Sequence, residues 1–168
     1  MRYESGDVAQ TITFAEKLSR YLAKGDVLAL TGDLGSGKTT FIRGVARGLG
    51  FRGTVNSPTF VILKVYGNKI PVYHFDLYRL RSMKDLEDIG YEDFISDSGV
   101  CVIEWAERAG KLLPSSYLAV KMAMRAQKTR SIRLVAHGLR YERLVAAFSK
   151  SFASCKNRNR RHLKTATT

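Results

Sequence analysis

The chain has 168 residues, 45% of them hydrophobic and 10% aromatic, which is enough apolar side chain for one core-forming domain. No run approaches the roughly 18 apolar residues of a membrane span. Met1-Arg2-Tyr3-Glu4-Ser5-Gly6-Asp7 lacks the apolar stretch of a secretory signal, so a cytoplasmic protein is expected.

In chain order, Thr13-Phe14-Ala15-Glu16 has capping-box spacing, and Phe14, Leu18, Tyr21 and Leu22 recur at helical intervals, predicting an amphipathic helix that Gly25 ends. Val27 to Leu30 is a continuous apolar run, the pattern of a buried strand. After a glycine-rich loop, Phe41, Ile42, Val45 and Leu49 share a helical face, and Gly50 stops that helix. Thr59 to Tyr66 and Ile70 to Phe75 read as strands of a hairpin turning at Gly67-Asn68. Ser82 to Ile89 reads as a short helix, with Ser82 and Asp85 at capping-box spacing. Val100 to Ile103 is a second buried strand, and Cys101 within it is expected to be a buried free thiol. Leu118 to Met124 and Ser131 to Ala136 read as another hairpin, and Leu139 to Phe152 has helical character. The order predicts a three-layer α/β domain over 1–150 with a mixed parallel and antiparallel sheet. Residues 151–168 have the composition of a disordered basic tail.

The formal charge of +13 is shared between these parts. Six of the 28 Lys and Arg residues lie in 149–168, where there is no acid, and the rest of the chain holds 22 basic against 15 acidic residues. Both parts therefore attract polyanions such as nucleotide phosphates and RNA.

Gly32-Asp33-Leu34-Gly35-Ser36-Gly37-Lys38-Thr39 matches the phosphate-loop pattern G-x-x-x-x-G-K-[ST] in full. Its glycines allow positive φ and close approach, so that successive backbone N–H groups aim at phosphate oxygens. Lys38 is placed to reach the β- and γ-phosphates, the Thr39 hydroxyl to ligate Mg²⁺, and the helix that follows adds its positive end. The strand before and the amphipathic helix after are the context this motif requires. A bound nucleotide with Mg²⁺ is the expectation.

Three later segments narrow it. Ser57-Pro58-Thr59-Phe60 is either a strand-entry turn or a switch that senses the γ-phosphate. In His74-Phe75-Asp76, an acid leaving a strand beside a phosphate loop can hold Mg²⁺ or orient water, though a His-x-Asp pair is also a common structural device. Val100-Cys101-Val102-Ile103-Glu104 is four apolar residues closed by an acid, a Walker B pattern with Glu in place of Asp. A guanine-selecting N-K-x-D is absent, since Asn68-Lys69 continues into Ile70-Pro71.

Taken together, G-D-L-G-S-G-K-T-T, S-P-T-F, H-F-D-L-Y-R and I-E-W, in that order, resemble the bacterial TsaE family, the ATPase component of tRNA threonylcarbamoyladenosine synthesis. The similarity runs from about Thr11 to Leu113. The resemblance implies an ATPase that works with TsaB and TsaD, which carry out the transfer to tRNA. Carried over, Gly32 to Thr39 and Thr40 would hold the phosphates, Thr39 and Glu104 would ligate Mg²⁺, and Asp76 would act with Lys38 at the γ-phosphate side. Thr59 would be a nucleotide-sensing residue, and Trp105 would pack over the site or against a partner. The basic tail lies outside the resemblance and is either a solvated end or a grip on tRNA. Two other functions fit the residues: a small-molecule kinase, disfavoured by the hairpins, and an RNA-binding module that uses nucleotide only as a switch.

Overall fold

The runs Val27–Leu30 and Val100–Ile103 show no alternation because both faces of their strands are covered. Along each run successive side chains enter two separate cores, Leu28, Leu30, Val100 and Val102 one of them, and Val27, Ala29, Cys101 and Ile103 the other. The structure, a computed structural model, describes residues 1–67, 69–80, 82–95 and 98–165, with the backbone alone described at Met83 and over 155–165. Its strands are β1 (Arg2–Ser5), β2 (Val27–Thr31), β3 (Leu63–Tyr66), β4 (Val72–Asp76), β5 (Val100–Glu104), β6 (Tyr117–Met124) and β7 (Arg130–His137). They form one sheet in the order β1-β7-β6-β2-β5-β4-β3. Strand β2 runs parallel to β5 and β6, and β4 parallel to β5, while the other pairs are antiparallel. The sheet is mixed, as expected.

Helices α1 (Val8–Ser19), α2 (Lys38–Gly48) and α5 (Leu139–Thr165) cover the first face, supplying Phe14, Leu18, Phe41, Val45, Leu144 and Phe148 to its core. Helices α3 (Met83–Asp88) and α4 (Tyr91–Ile95) and a 3-10 helix, Ala106–Leu112, cover part of the second face, packing Leu86, Tyr91 and Ala106 on Phe75 and Ile103. Three layers result. Among the described residues no helix is long and apolar enough to cross a membrane.

Several boundaries differ from the sequence expectation. Helix α1 begins at Val8, five residues before Thr13 of the apparent capping box. Asp7 is its cap, accepting from the Gln10 backbone at 2.7 Å, and the Gln10 side chain accepts from Gly6 N at 3.0 Å. Residues 59–62 are a turn and not strand, because the backbone N–H groups of Val61 and Ile62 both donate to the Pro58 carbonyl at 2.8 Å. Strand β3 therefore starts only at Leu63, and it pairs with β4 as expected. The Asn68 of the expected hairpin turn lies outside the described residues. Strand β1 was not expected from its charged sequence. It is held by Tyr3, stacked on Phe14 at 4.3 Å, and by paired backbone bonds of Met1 with Leu134.

Helix α5 runs through the expected division at 150/151 and on to Thr165. Phe148 and Phe152 sit one helical turn apart against Tyr3 and Phe14, which anchors the helix across that point, and the Lys and Arg residues beyond are good helix formers. Residues 166–168 lie outside the described residues.

Helix α5 is also tied to the central strand. The Val27 N–H donates to the Tyr141 hydroxyl at 2.6 Å, and burial beside Asp26 pushes that phenol up to about 12. A raised phenol pKa stabilises the fold below the ordinary value near 10, and this contribution is lost as pH rises through about 12. Tyr141→Phe is expected to cost about 1–3 kcal/mol at neutral pH by orphaning a buried N–H. Urea unfolding should also show a smaller loss of stability between pH 10 and 12 than in wild type.

Candidate functional site

The end of the apolar run in β2 delivers Gly32, and α2 begins at Lys38, so the loop between them is pinned at both ends. Its backbone needs glycine. Gly32, Gly35 and Gly37 have φ of 139°, 78° and 98°, and a Cβ on Gly32 would stand 2.1 Å from the Met122 carbonyl. Lys38 folds back over the loop, donating to the Gly32 carbonyl at 2.7 Å and the Asp33 carbonyl at 3.1 Å. Burial holds its ammonium below the usual lysine range, against the pull of Glu104, Glu107, Asp76 and Asp33.

The acids arrive from the parallel strands. Register places Asp76 of β4 directly beside Glu104 of β5, on the face that carries α2. Both are almost fully buried, at 2% and 3% exposure, although both border a cavity. Glu104 Oε1 accepts from the Thr39 hydroxyl at 2.7 Å and lies 3.0 Å from His74 Nε2. Asp76 Oδ2 accepts from the Ser57 hydroxyl and, at 2.5 Å, from the Thr59 hydroxyl; its Oδ1 accepts from Tyr78 N at 3.0 Å. The His-x-Asp pair is thus divided. His74 supports Glu104, and Asp76 holds the Ser57-Pro58-Thr59 turn.

Trp105 lies over Lys38, with the ammonium 3.8 Å from the ring centroid and Tyr78 packed against the indole. Its φ of 58° is left-handed, as is Ile62 at 63°, and these are the non-glycine residues with positive φ among those described. One directly follows Glu104 and the other follows the turn that Asp76 holds. Bulky residues adopt this conformation at a cost of about 1–3 kcal/mol, and such strain clusters at functional sites. The Arg79 guanidinium stacks on Phe60 at 4.3 Å.

These side chains border one cavity of about 780 Å³. Of the residues expected from sequence, Leu34, Gly35, Gly37, Lys38, Thr39, Thr40, Thr59, Asp76, Glu104 and Trp105 line it. Gly32 and Asp33 instead serve the loop through the carbonyls that hold Lys38, and the Asp33 side chain is exposed. Ser36 is buried, and its hydroxyl has no hydrogen-bond partner among the described residues. Sequence reasoning missed the far walls, Asp7 to Thr11 at the start of α1 and Gln127, Lys128 and Arg130 at the β6–β7 turn. Their only signal was the basic character of that turn.

The residues fit a nucleotide with Mg²⁺. An orphaned buried hydroxyl, a glycine cradle and a buried cation suit phosphate. Thr39, Asp76 and Glu104 offer only hard oxygen donors, and no group of three or more His, Cys, Asp or Glu with metal-site geometry occurs among the described residues. That combination suits a cation that takes one or two protein oxygens and completes its shell with phosphate and water.

Comparison with known proteins agrees with this architecture. In overall fold the chain is similar to the crystal structure of Bacillus subtilis YdiB, with a TM-score of 0.78 and 34% identity over 90% of this chain and 95% of that one. In sequence it is 38% identical to the tRNA threonylcarbamoyladenosine biosynthesis protein TsaE of Bacillus subtilis, over 89% of this chain and 94% of the relative. It is 39% identical to the TsaE of Treponema pallidum, over 79% of this chain and 98% of the relative. The family model for the threonylcarbamoyl adenosine biosynthesis protein TsaE matches residues 5–134, and the chain belongs to that family.

Proposed function

We propose that the chain is a Mg²⁺-dependent ATPase that supports threonylcarbamoyladenosine modification of tRNA by working with TsaB and TsaD. The observation that carries this reading is the convergence of Lys38, Thr39, Asp76 and Glu104 on one cavity beside the phosphate loop. Thr39 and Glu104, already joined by a hydrogen bond, would hold the metal, with Asp76 beside them. Mg²⁺ held there would neutralise charge on the phosphate oxygens. Lys38 releases its two carbonyl partners and turns its ammonium to the phosphates. The backbone N–H groups from Gly35 to Thr39 donate to them, and Trp105 shields the lysine from water. Asp76 orients water at the γ-phosphate side, and its hold on Thr59 makes the Ser57–Thr59 turn responsive to what occupies the site. Hydrolysis then rests on positioning and charge, with no covalent intermediate.

The test is phosphate release by the full chain, alone and with TsaB and TsaD, with capture of both partners measured with and without ATP. The expected result is slow turnover alone, faster turnover with the partners, and capture that depends on ATP. Absence of hydrolysis in both settings overturns the ATPase reading, and partner-independent transfer to a small acceptor replaces it with a kinase. Lys38→Ala is expected to lower kcat/KM for ATP by about 10²–10³. Unchanged kinetics in that variant would remove the lysine from the site.

A further inference from the structure

The second face of the sheet is only partly covered. The core beneath α3, α4 and the 3-10 helix draws its strand residues from β2, β4 and β5, and its buried members include none from β6, β7 or β1. On that bare half, register aligns Thr31 of β2, Lys121 of β6, Arg133 of β7 and Arg2 of β1 in a single cross-strand row. Their alternation partners Leu30, Val120, Met122, Ile132 and Leu134 point into the first-face core, so the row faces outward. Lys121, Arg133 and Arg2 are all exposed, and no ion pair joins any of them to an acid among the described residues.

Three like charges at directly opposed positions roughly 5 Å apart destabilise a sheet. Protection of an edge strand accounts for Arg2 alone, since Lys121 and Arg133 lie on interior strands. The row borders a shallow groove of about 210 Å³ that Arg125 also lines and that reaches Thr31 and Gly32 at the root of the phosphate loop. Lys128 and Arg130, at the β6–β7 turn, line the large cavity. A row of cations therefore crosses the bare face from the sheet edge to the root of the phosphate loop.

We infer that this bare sheet face is a binding surface for the phosphodiester backbone of RNA. A flat row of cations along a shallow groove, in which Arg and Lys alternate with small residues such as Gly32, Ala123 and Ser131, matches a repeating anion. Recognition is accordingly of charge and not of sequence. The surface lies outside the nucleotide cavity and its binding does not depend on ATP hydrolysis.

The test is binding of the full chain to a labelled, unmodified tRNA transcript across a salt series, without nucleotide. Arg2→Gln, Lys121→Gln and Arg133→Gln combined should weaken binding by on the order of tenfold or more at moderate salt, and flatten the log–log salt slope by about 2–3. A control removes the same charge from exposed positions elsewhere, Arg20→Gln, Lys24→Gln and Arg43→Gln, and should bind within about threefold of wild type. Relief of like-charge repulsion should leave the thermal midpoint of the row variant at or above that of wild type. An unchanged slope in the row variant, or an equal loss in the control, overturns the inference. Loss of TsaB–TsaD capture with RNA binding intact would also overturn it, assigning the face to an acidic protein surface. Lys38→Ala should leave the salt slope unaltered, which separates this surface from the ATPase reading.

Discussion

Asp76→Asn is expected to lower kcat for ATP hydrolysis by about 10²–10³ while ATP affinity changes by less than about threefold. The geometry argues for this split. Asp76 is 2% exposed, yet it borders the cavity, and among the described residues it accepts no hydrogen bond from Lys38, whose ammonium is held by the Gly32 and Asp33 carbonyls. Its carboxylate instead collects two hydroxyls from the Ser57–Thr59 turn and one backbone N–H from Tyr78. An amide of the same shape can still pair with those groups, because a hydroxyl accepts as readily as it donates. The turn is therefore kept, and what disappears is the negative charge to which we assign the orientation of water. Single-turnover phosphate release, with ATP binding measured separately, gives the two numbers. Wild-type turnover in Asp76→Asn would mean that Asp76 only anchors the turn, and Glu104 would be left as the acid that matters.

How much of this site could be read from sequence follows from how local each part is. The phosphate loop was legible because its residues are contiguous and each glycine answers a backbone demand that only glycine meets, as at Gly32 against Met122. Asp76 and Glu104 were legible as acids closing apolar strands. Their neighbours were not, since the parallel register of β4 and β5 that sets Asp76 beside Glu104, and His74 two residues before it, appears only once the sheet forms. The hydroxyl turn at Ser57–Thr59 could be noticed but not assigned, because its acceptor lies 17–19 residues further on. The walls at Asp7–Thr11 and Gln127–Arg130 come from segments far apart in the chain, beyond the reach of any local pattern. At the edges, packing partners distant in sequence decide the local structure. The charged start of the chain is a strand because Tyr3 has Phe14 to stack on. The basic tail continues a helix because Phe148 and Phe152 fasten it.

The second large effect belongs to Glu104, and there stability and metal dependence should come apart between two variants. Glu104 Oε1 is shared by Thr39 and by His74, whose imidazole has no exposure and, among the described residues, otherwise hydrogen-bonds only with the Tyr66 hydroxyl at 3.5 Å. Glu104→Ala removes the common acceptor, leaves a buried ring nitrogen and a hydroxyl without it, and opens a void between β5 and α2. Urea unfolding should register a loss of about 2–4 kcal/mol. Glu104→Gln keeps a carbonyl oxygen for both donors, so its stability should stay within about 1 kcal/mol of wild type. Its charge is gone, however, and a neutral oxygen is a poorer partner for a hard dication. The Mg²⁺ concentration that half-saturates ATPase activity should therefore rise about 10–100-fold in Glu104→Gln. A Gln variant as stable as wild type with wild-type Mg²⁺ dependence would confine Glu104 to a structural role between His74 and Thr39. A Gln variant as unstable as Ala would show that the pair depends on ionic character and not on hydrogen-bond shape.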